Sequence, residues 1–194
     1  NLAPKERKTV VFTPDVHKTL ELKSPRLWWP NNYGRQELYT MDVVVAEKGV
    51  SSDSKKVRFG VRELSYELEV CFPDDSIRRV EYRPTVMGQG EPIFDNINRK
   101  YIEGGMCMPR LKKNVSSDIL VPAPDKAMQH YMVIKVNGKR IFCKGGNWGM
   151  DDAMKRVSRE HLEPYFRLHK EANFNMIRNW TGESTEENFY ELCD

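Results

Sequence analysis

A chain of 194 residues has room for one or two small domains, and 39% hydrophobic with 30% charged residues predicts a folded soluble protein rather than a disordered or fibrous one. No stretch reaches the about 18 consecutive apolar residues of a membrane span, and no basic start followed by an apolar run marks a signal peptide, although the chain opens at Asn1 rather than Met. The formal charge of +3 is uneven: from Ile141 onward 7 Lys/Arg face 10 Asp/Glu, or −3, so the first 140 residues carry +6 without a basic cluster that would make nucleic acid a partner.

In chain order, Thr9-Val-Val-Phe-Thr13 and His17-Lys-Thr-Leu-Glu-Leu22 read as short strands. Next, Pro25, Pro30 and Gly34 bracket an aromatic cluster. Trp28 and Trp29, adjacent on extended chain, point to opposite faces, one into a core and the other over a neighbouring element or a sugar. Leu38–Val45 is a strand, Glu47–Lys56 a polar hairpin connection and Val57–Val70 a long returning strand. The alternation in Ser65-Tyr-Glu-Leu-Glu-Val70 places Tyr66, Leu68 and Val70 on one buried face. Antiparallel strands without an intervening helix imply a sandwich.

Residues 71–129 are broken by prolines and glycines, leaving Arg78–Tyr82 and Asp118–Val121 as possible strands. So long an irregular connection is unusual, so this stretch is either extra edge hairpins or an excursion packed on a partner region. Asp95-Asn-Ile-Asn98 lacks the acidic spacing of a calcium loop. Cys71, Cys107, Cys143 and Cys193 have no CxxC spacing and suit buried thiols better than zinc or a disulfide framework.

From His130 the pattern changes. His130–Val136, Asn137-Gly138 and Lys139–Lys144 form a hairpin, since Asn-Gly supplies the positive φ angles of a two-residue turn. The run Arg140–Lys144 then opens into Gly145-Gly146 and presents Asn147, Trp148, Asp151 and Asp152 within six residues. A strand ending in a glycine-rich loop with an amide, an indole and two carboxylates is how an α/β barrel floors an active site. The plainer reading is a tight turn with Trp148 in a core and the Asp pair solvated or capping a helix. Ser158 caps a helix towards Ala172, its stripe Leu162, Tyr165, Phe166 and His169, with Pro164 kinking it or restarting it and Asn173 as its stop. His169 reads as a packed, hydrogen-bonded histidine rather than a ligand or base. Phe174–Arg178 is the next strand, Asn179–Thr185 its loop, and a helix begins near Glu186. A closed barrel of this kind takes roughly 250 residues, so the stretch from 138 onward cannot make one.

Leu27-Trp-Trp-Pro30 with Gly34 and Leu38-Tyr39, Phe59-Gly-Val-Arg-Glu63, Val136-Asn-Gly-Lys139, Lys144-Gly-Gly-Asn-Trp148, Asn175-Met-Ile-Arg178 with Trp180, and Phe189-Tyr-Glu-Leu-Cys-Asp194 occur together and in this order. With them the chain resembles glycoside hydrolases of family 2 over residues 20–70 and 130–194, and among these the β-mannosidase, endo-β-mannosidase and exo-β-glucosaminidase branch. The resemblance implies a mainly β internal fragment. Residues 1–137 would form a partial immunoglobulin-like antiparallel β-sandwich, with a long elaboration at 71–129. Residues 138–194 would start a (β/α)8 TIM barrel with its first two β/α units.

The same resemblance implies substrate-binding roles for Asn147, Trp148, Asp152, Arg178 and Trp180, with no catalytic residue, metal or cofactor in this stretch. Carboxylates and a guanidinium fix sugar hydroxyls by directional hydrogen bonds, and indoles offer an apolar surface to the ring. The sequence departs from the family in Gly149-Met150, where isoleucine-proline is usual, and in Thr181-Gly182-Glu183, where a glycine triplet is common; both bear on sugar preference. The family's acid/base and nucleophile glutamates have no counterpart. Retaining hydrolysis needs two carboxyl groups about 5 to 5.5 Å apart, and adjacent Asp151 and Asp152 are not that pair. The expectation is a retaining enzyme for β-mannosides or related β-glycosides whose fragment alone is inactive. Its partners would be a β-linked saccharide and the remainder of the barrel; if it is bacterial and exported, it would be periplasmic or extracellular. A non-catalytic carbohydrate-binding or structural β-sandwich is the alternative, and it would keep its exposed aromatics within residues 1–129.

Overall fold

The computed structural model describes residues 5–87, 92–101, 107–116, 120–123, 132–149 and 153–194. The protein is mainly β with some helix, and its sheets are mixed. Its strands are β1 (Leu38–Glu47), β2 (Val50–Gly60), β3 (Leu64–Cys71), β4 (Ile77–Tyr82), β5 (Phe94–Tyr101), β6 (Cys107–Leu111), β7 (Val121–Pro122), β8 (Val133–Val136), β9 (Lys139–Arg140), β10 (Gly145–Trp148) and β11 (Met176–Asn179). The helices are α1 (Pro84–Met87), α2 (Arg159–Glu171) and α3 (Glu187–Cys193).

The first departure from expectation is at the N-terminus. Thr9–Thr13 and His17–Leu22 are not strands; residues 18–20 form a single 3-10 turn. Val10, Val11 and Phe12 stand 61, 74 and 60% exposed, and no described strand lies alongside them. A β-forming side chain does not make a strand without a neighbour to satisfy its backbone N–H and C=O groups. The antiparallel hairpin of β1 and β2 is longer than its polar composition suggests. Only Lys48 (φ 52) and Gly49 (φ 86) turn the chain, and the polar run from Val50 pairs back as strand. Nor is Val57–Val70 continuous, because residues 61–63 separate β2 from β3.

β3 organises the principal sheet, whose order is β5-β6-β3-β4-β7, with β8 also on β3 and β9 on β8. It pairs antiparallel with β4 and with β8, and parallel with β6 at Cys71. Four strands of this sheet, β4 to β7, come from residues 71–129, so that segment builds the sheet rather than hanging on it. Asp118 and Ile119 lie outside the described residues, as do His130 and Tyr131 of the run predicted to enter β8. β1 and β2 pair only with each other and stand apart from the principal sheet that β3 shares with β8.

Alternation along β3 sends Leu68 and Val70 into a core with Phe72, Val80, Ile93, Leu111 and Leu120. Each such side chain contributes about 1.5–3 kcal/mol on burial. The other face is also closed, by charge. Glu67 is 1% exposed and accepts from Arg140 Nε and Nη2 at 3.0 and 2.8 Å, with Lys135 and Arg79 each at 3.8 Å. Neighbouring Glu81 pairs with Lys135 and Arg83. Of the four cysteines, all free, Cys71 is buried, Cys143 is half-buried, and Cys107 and Cys193 are exposed, so the buried-thiol reading holds for Cys71 alone.

The aromatic loop ties this sheet to the helical part. Trp29 folds over Gly34 of its own loop, where a Cβ would meet the indole at 2.7 Å. Trp28 lies against Gly60 and donates from Nε1 to the Asp194 carbonyl at 3.3 Å. Neither indole enters the core of the principal sheet. Asn31 donates to the carbonyls of Lys170 and Phe174 at 3.2 and 3.0 Å, and Asn32 to that of Asn173 at 3.3 Å. These amide bonds tie the aromatic loop to the turn by which the chain leaves α2. The Asn137-Gly138 turn, with φ of 50° and 76°, completes the joint: Asn137 donates to the Trp28 carbonyl and accepts from the Glu63 N–H.

Candidate functional site

β10 and β11 are short parallel neighbours in the register Gly145↔Met176, Gly146↔Ile177, Asn147↔Arg178 and Trp148↔Asn179. The glycine pair lies in the strand, not in the loop after it. At Gly145 a Cβ would stand 1.8 Å from the Met176 carbonyl oxygen, so only glycine lets the two backbones meet there. Asn175 fixes the entrance, accepting from the Lys144 N–H at 2.8 Å and donating to the Phe142 carbonyl at 3.0 Å. The chain crosses between the strands through α2. Ser158 starts that helix by accepting from the His161 N–H, and Asn173 (φ 61) turns out of it. Pro164 sits inside the continuous helix and does not restart it; the Glu160 carbonyl loses only its usual donor.

Strand alternation gives the pair two unlike faces. On the helix-covered face, Trp148 is 8% exposed and packs with Leu162, Phe166 and Phe189. Its ring centroid lies 5.8 Å from Tyr165 and 5.9 Å from Phe189. Its Nε1 donates to Ser184 Oγ at 3.0 Å. Ser184 is fully buried, donates its N–H to Asn179 Oδ1 at 3.1 Å, and accepts at its carbonyl from Asn179 and Tyr190 at 2.7 and 3.1 Å. Ser184, Asn179 and Tyr190 were not legible as a unit beforehand, although an Asn ending a strand and a Ser five residues on is a pairing that loops use. His169 packs edge-on to Trp148 and beside Phe174 as expected, but its Nδ1 is buried without a hydrogen-bond partner among the described residues.

The opposite face is open. Here Arg178 donates from Nη1 to Asn147 Oδ1 at 3.3 Å, and its guanidinium lies 4.5 Å from the centre of the Trp180 ring, itself 42% exposed. The cation is thereby held flat at the carboxyl ends of both strands, with N–H groups to spare for a polar ligand. Of the five residues singled out from the sequence, Asn147, Arg178 and Trp180 come together on this face. Trp148 lies on the other, and Asp152, like Asp151 and Met150, is outside the described residues. A cavity of about 480 Å³ opens elsewhere, between the aromatic loop and the ends of α2 and α3, lined by Trp28, Asn31, Arg62, His169 and Met176 among others. None of Asn147, Trp148, Arg178 and Trp180 lines it. Among the described residues no group of three or more His, Cys, Asp or Glu is arranged to hold a metal ion, and no helix is long and apolar enough to cross a membrane.

Residues 2–62 match the family model "Glycosyl hydrolases family 2". The chain is 28% identical over 172 residues to a mannosylglycoprotein endo-beta-mannosidase of Lilium longiflorum, covering 88% of this chain and 12% of that protein. It is 25% identical over 193 residues to an exo-beta-D-glucosaminidase of Streptomyces avermitilis, covering 100% of this chain and 15% of the relative. It is 23% identical over 178 residues to beta-mannosidase B of Neosartorya fischeri, covering 91% and 15%. The chain thus spans about a seventh of the length of the curated relatives it matches, and no solved structure matches it. The likeness to glycosyl hydrolase family 2 is thus carried by the N-terminal part, and the chain as a whole is similar to several mannosidase and glucosaminidase branches rather than to a single one.

Proposed function

We propose that this chain is part of a longer retaining glycoside hydrolase acting on β-mannosides or closely related β-glycosides, and that the open face of β10 and β11 contributes to its sugar pocket. In this reading residues 1–137 correspond to an immunoglobulin-like domain, and 138–194 to the first two β/α units of an eight-unit barrel. Supporting it are the family match at the N-terminus, the similarity to mannosidases and glucosaminidases, and the succession β10, α2, β11, α3 with parallel pairing.

The observation that carries the reading is the Asn147, Arg178 and Trp180 cluster at the carboxyl ends of two parallel strands. That is where a barrel keeps its chemistry. Arg178 and Asn147 would fix hydroxyls, Trp180 would offer its ring to the sugar, and Asp152 would add a carboxylate acceptor for a hydroxyl. Trp148, packed behind, would hold the end of β10 in place. The acid and nucleophile carboxylates would come from the rest of the enzyme, so the 194 residues alone should give only background hydrolysis of aryl β-mannosides and β-glucosaminides.

In the complete enzyme, a charged hydrogen bond to a sugar hydroxyl is worth roughly 1.5–3 kcal/mol, or about 10- to 100-fold in transition-state binding. Arg178→Lys and Asp152→Asn should therefore each lower kcat/KM at least about tenfold, with thermal melts unchanged, and Asp151→Asn should do less. Steady-state kinetics decide it: turnover by the isolated chain that disappears with Asp151→Asn would refute the assignment.

A further inference from the structure

We propose that Asn31 and Tyr33 of the aromatic loop are positioning residues for the Asn147–Arg178 face, holding its two strands in register from their opposite ends; the inference rests on the glycosidase reading above. Among the described residues β10 and β11 pair only with each other, over four residues each. A parallel pair that short does not fix its own stagger, since parallel ladders are the weaker kind and small isolated sheets are marginal. Both strands are gripped instead where they begin. Tyr33 Oη accepts from the Phe142 N–H at 2.8 Å, and Asn31 Nδ2 donates to the Phe174 carbonyl at 3.0 Å and to that of Lys170 at 3.2 Å. Asn175 joins the two grips, because it donates to the Phe142 carbonyl and accepts from the Lys144 N–H.

The loop is stiff enough to serve as the reference. Gln36 Nε2 donates to the Trp29 and Gly34 carbonyls at 2.9 and 3.0 Å, and the Tyr33 N–H donates to the Pro30 carbonyl at 3.0 Å. It is anchored in turn, the Trp28 N–H donating to the Val61 carbonyl and Asn137 to that of Trp28. From Phe142 to Asn147 and from Phe174 to Arg178 the chain runs five and four residues, roughly 13–16 Å when extended. Extended chain passes an axial shift along with little loss, so a displacement at the feet reaches the polar ends. There the contact from Arg178 Nη1 to Asn147 Oδ1 is 3.3 Å, near the long limit of a hydrogen bond, and a slip of about half an ångström between the strands breaks it. A sugar held by both side chains would then lose its fixed seat.

The test is the inhibition constant of the free monosaccharide against hydrolysis of its aryl β-glycoside, mannose with the mannoside or glucosamine with the glucosaminide, in the complete enzyme and its variants. Tyr33→Phe keeps the ring and deletes only the hydroxyl; it should raise that constant about fivefold, and Asn31→Ala by a similar factor. A loss of folded enzyme alone would lower the apparent kcat and leave the inhibition constant where it was. Ser158→Ala, which loosens the far end of α2, is the control and should not raise it. In an Arg178→Lys background Tyr33→Phe should add less than about twofold, because the hydroxyl acts through Arg178. Unchanged inhibition in Tyr33→Phe, while Arg178→Lys raises the constant, overturns the inference and leaves the glycosidase reading standing. An equal rise in Ser158→Ala, or a full fivefold effect in the Arg178→Lys background, does the same. An enzyme that hydrolyses neither glycoside, or an Arg178→Lys variant that binds the sugar as the wild type does, overturns both.

Discussion

The principal sheet and the β10–β11 pair solve the same problem differently. Around β3 both faces are closed, one by Val70, Phe72, Val80 and Leu111, the other by Glu67 and Glu81 with their cations. The β10–β11 pair closes only one face, under α2 and α3, and leaves Asn147 and Arg178 on the other. A sheet sealed twice can only hold itself together. One sealed once can spend its second face on a ligand, provided the first face is rigid enough to keep the polar groups in register.

The sharpest way to break this contrast is to act on the two faces of the same strand. Trp148→Ala removes a buried ring and strands the Ser184 hydroxyl, so it should destabilise by about 3–5 kcal/mol in denaturant melts. Arg178→Lys on the open face should shift the same melt by less than about 0.5 kcal/mol. Equal losses would mean that the open face is structural.

The sealed sheet is tested through its charges. Glu67→Gln leaves Arg140, Lys135 and Arg79 without their common anion and should cost about 3–5 kcal/mol. Glu81 adds a pH dependence. Burial pushes its carboxyl up, but hydrogen bonds from Lys135 and Arg83 outweigh this and hold it below its ordinary value. A carboxyl depressed in the folded state stabilises fully above its ordinary value near 4.5 and loses that contribution as pH falls through the folded value. Acid melts should therefore steepen below pH 4.5 in the wild type and flatten in Glu81→Gln. The smallest expected effect is at the helix that covers the closed face. Ser158→Ala removes the cap on α2 and should cost about 1 kcal/mol by thermal melt, without altering the Arg178–Trp180 contact as followed by tryptophan fluorescence.

Much of the second half was written locally. Asn137-Gly138 carries the φ angles its turn needs, Ser158 and Asn173 bound α2, and the Leu162 and Phe166 stripe finds its core because each signal depends on near neighbours in sequence. Those residues determine a hairpin, a helix and a following strand whatever surrounds them. Partnership over distance was not written there. Val10-Val-Phe12 has the composition of a strand and is none, while the polar run from Val50 is strand because β1 lies beside it. β5 and β6 form despite Pro109, since pairing with β3 and with each other outweighs local propensity.

At the site, the sequence named Asn147, Trp148, Asp152, Arg178 and Trp180 as one group by proximity and resemblance. It could not say which face each would take. Side chains alternate along a strand, so Trp148 and Asn147 must part company, and only the register Asn147↔Arg178 decides which of them meets the guanidinium.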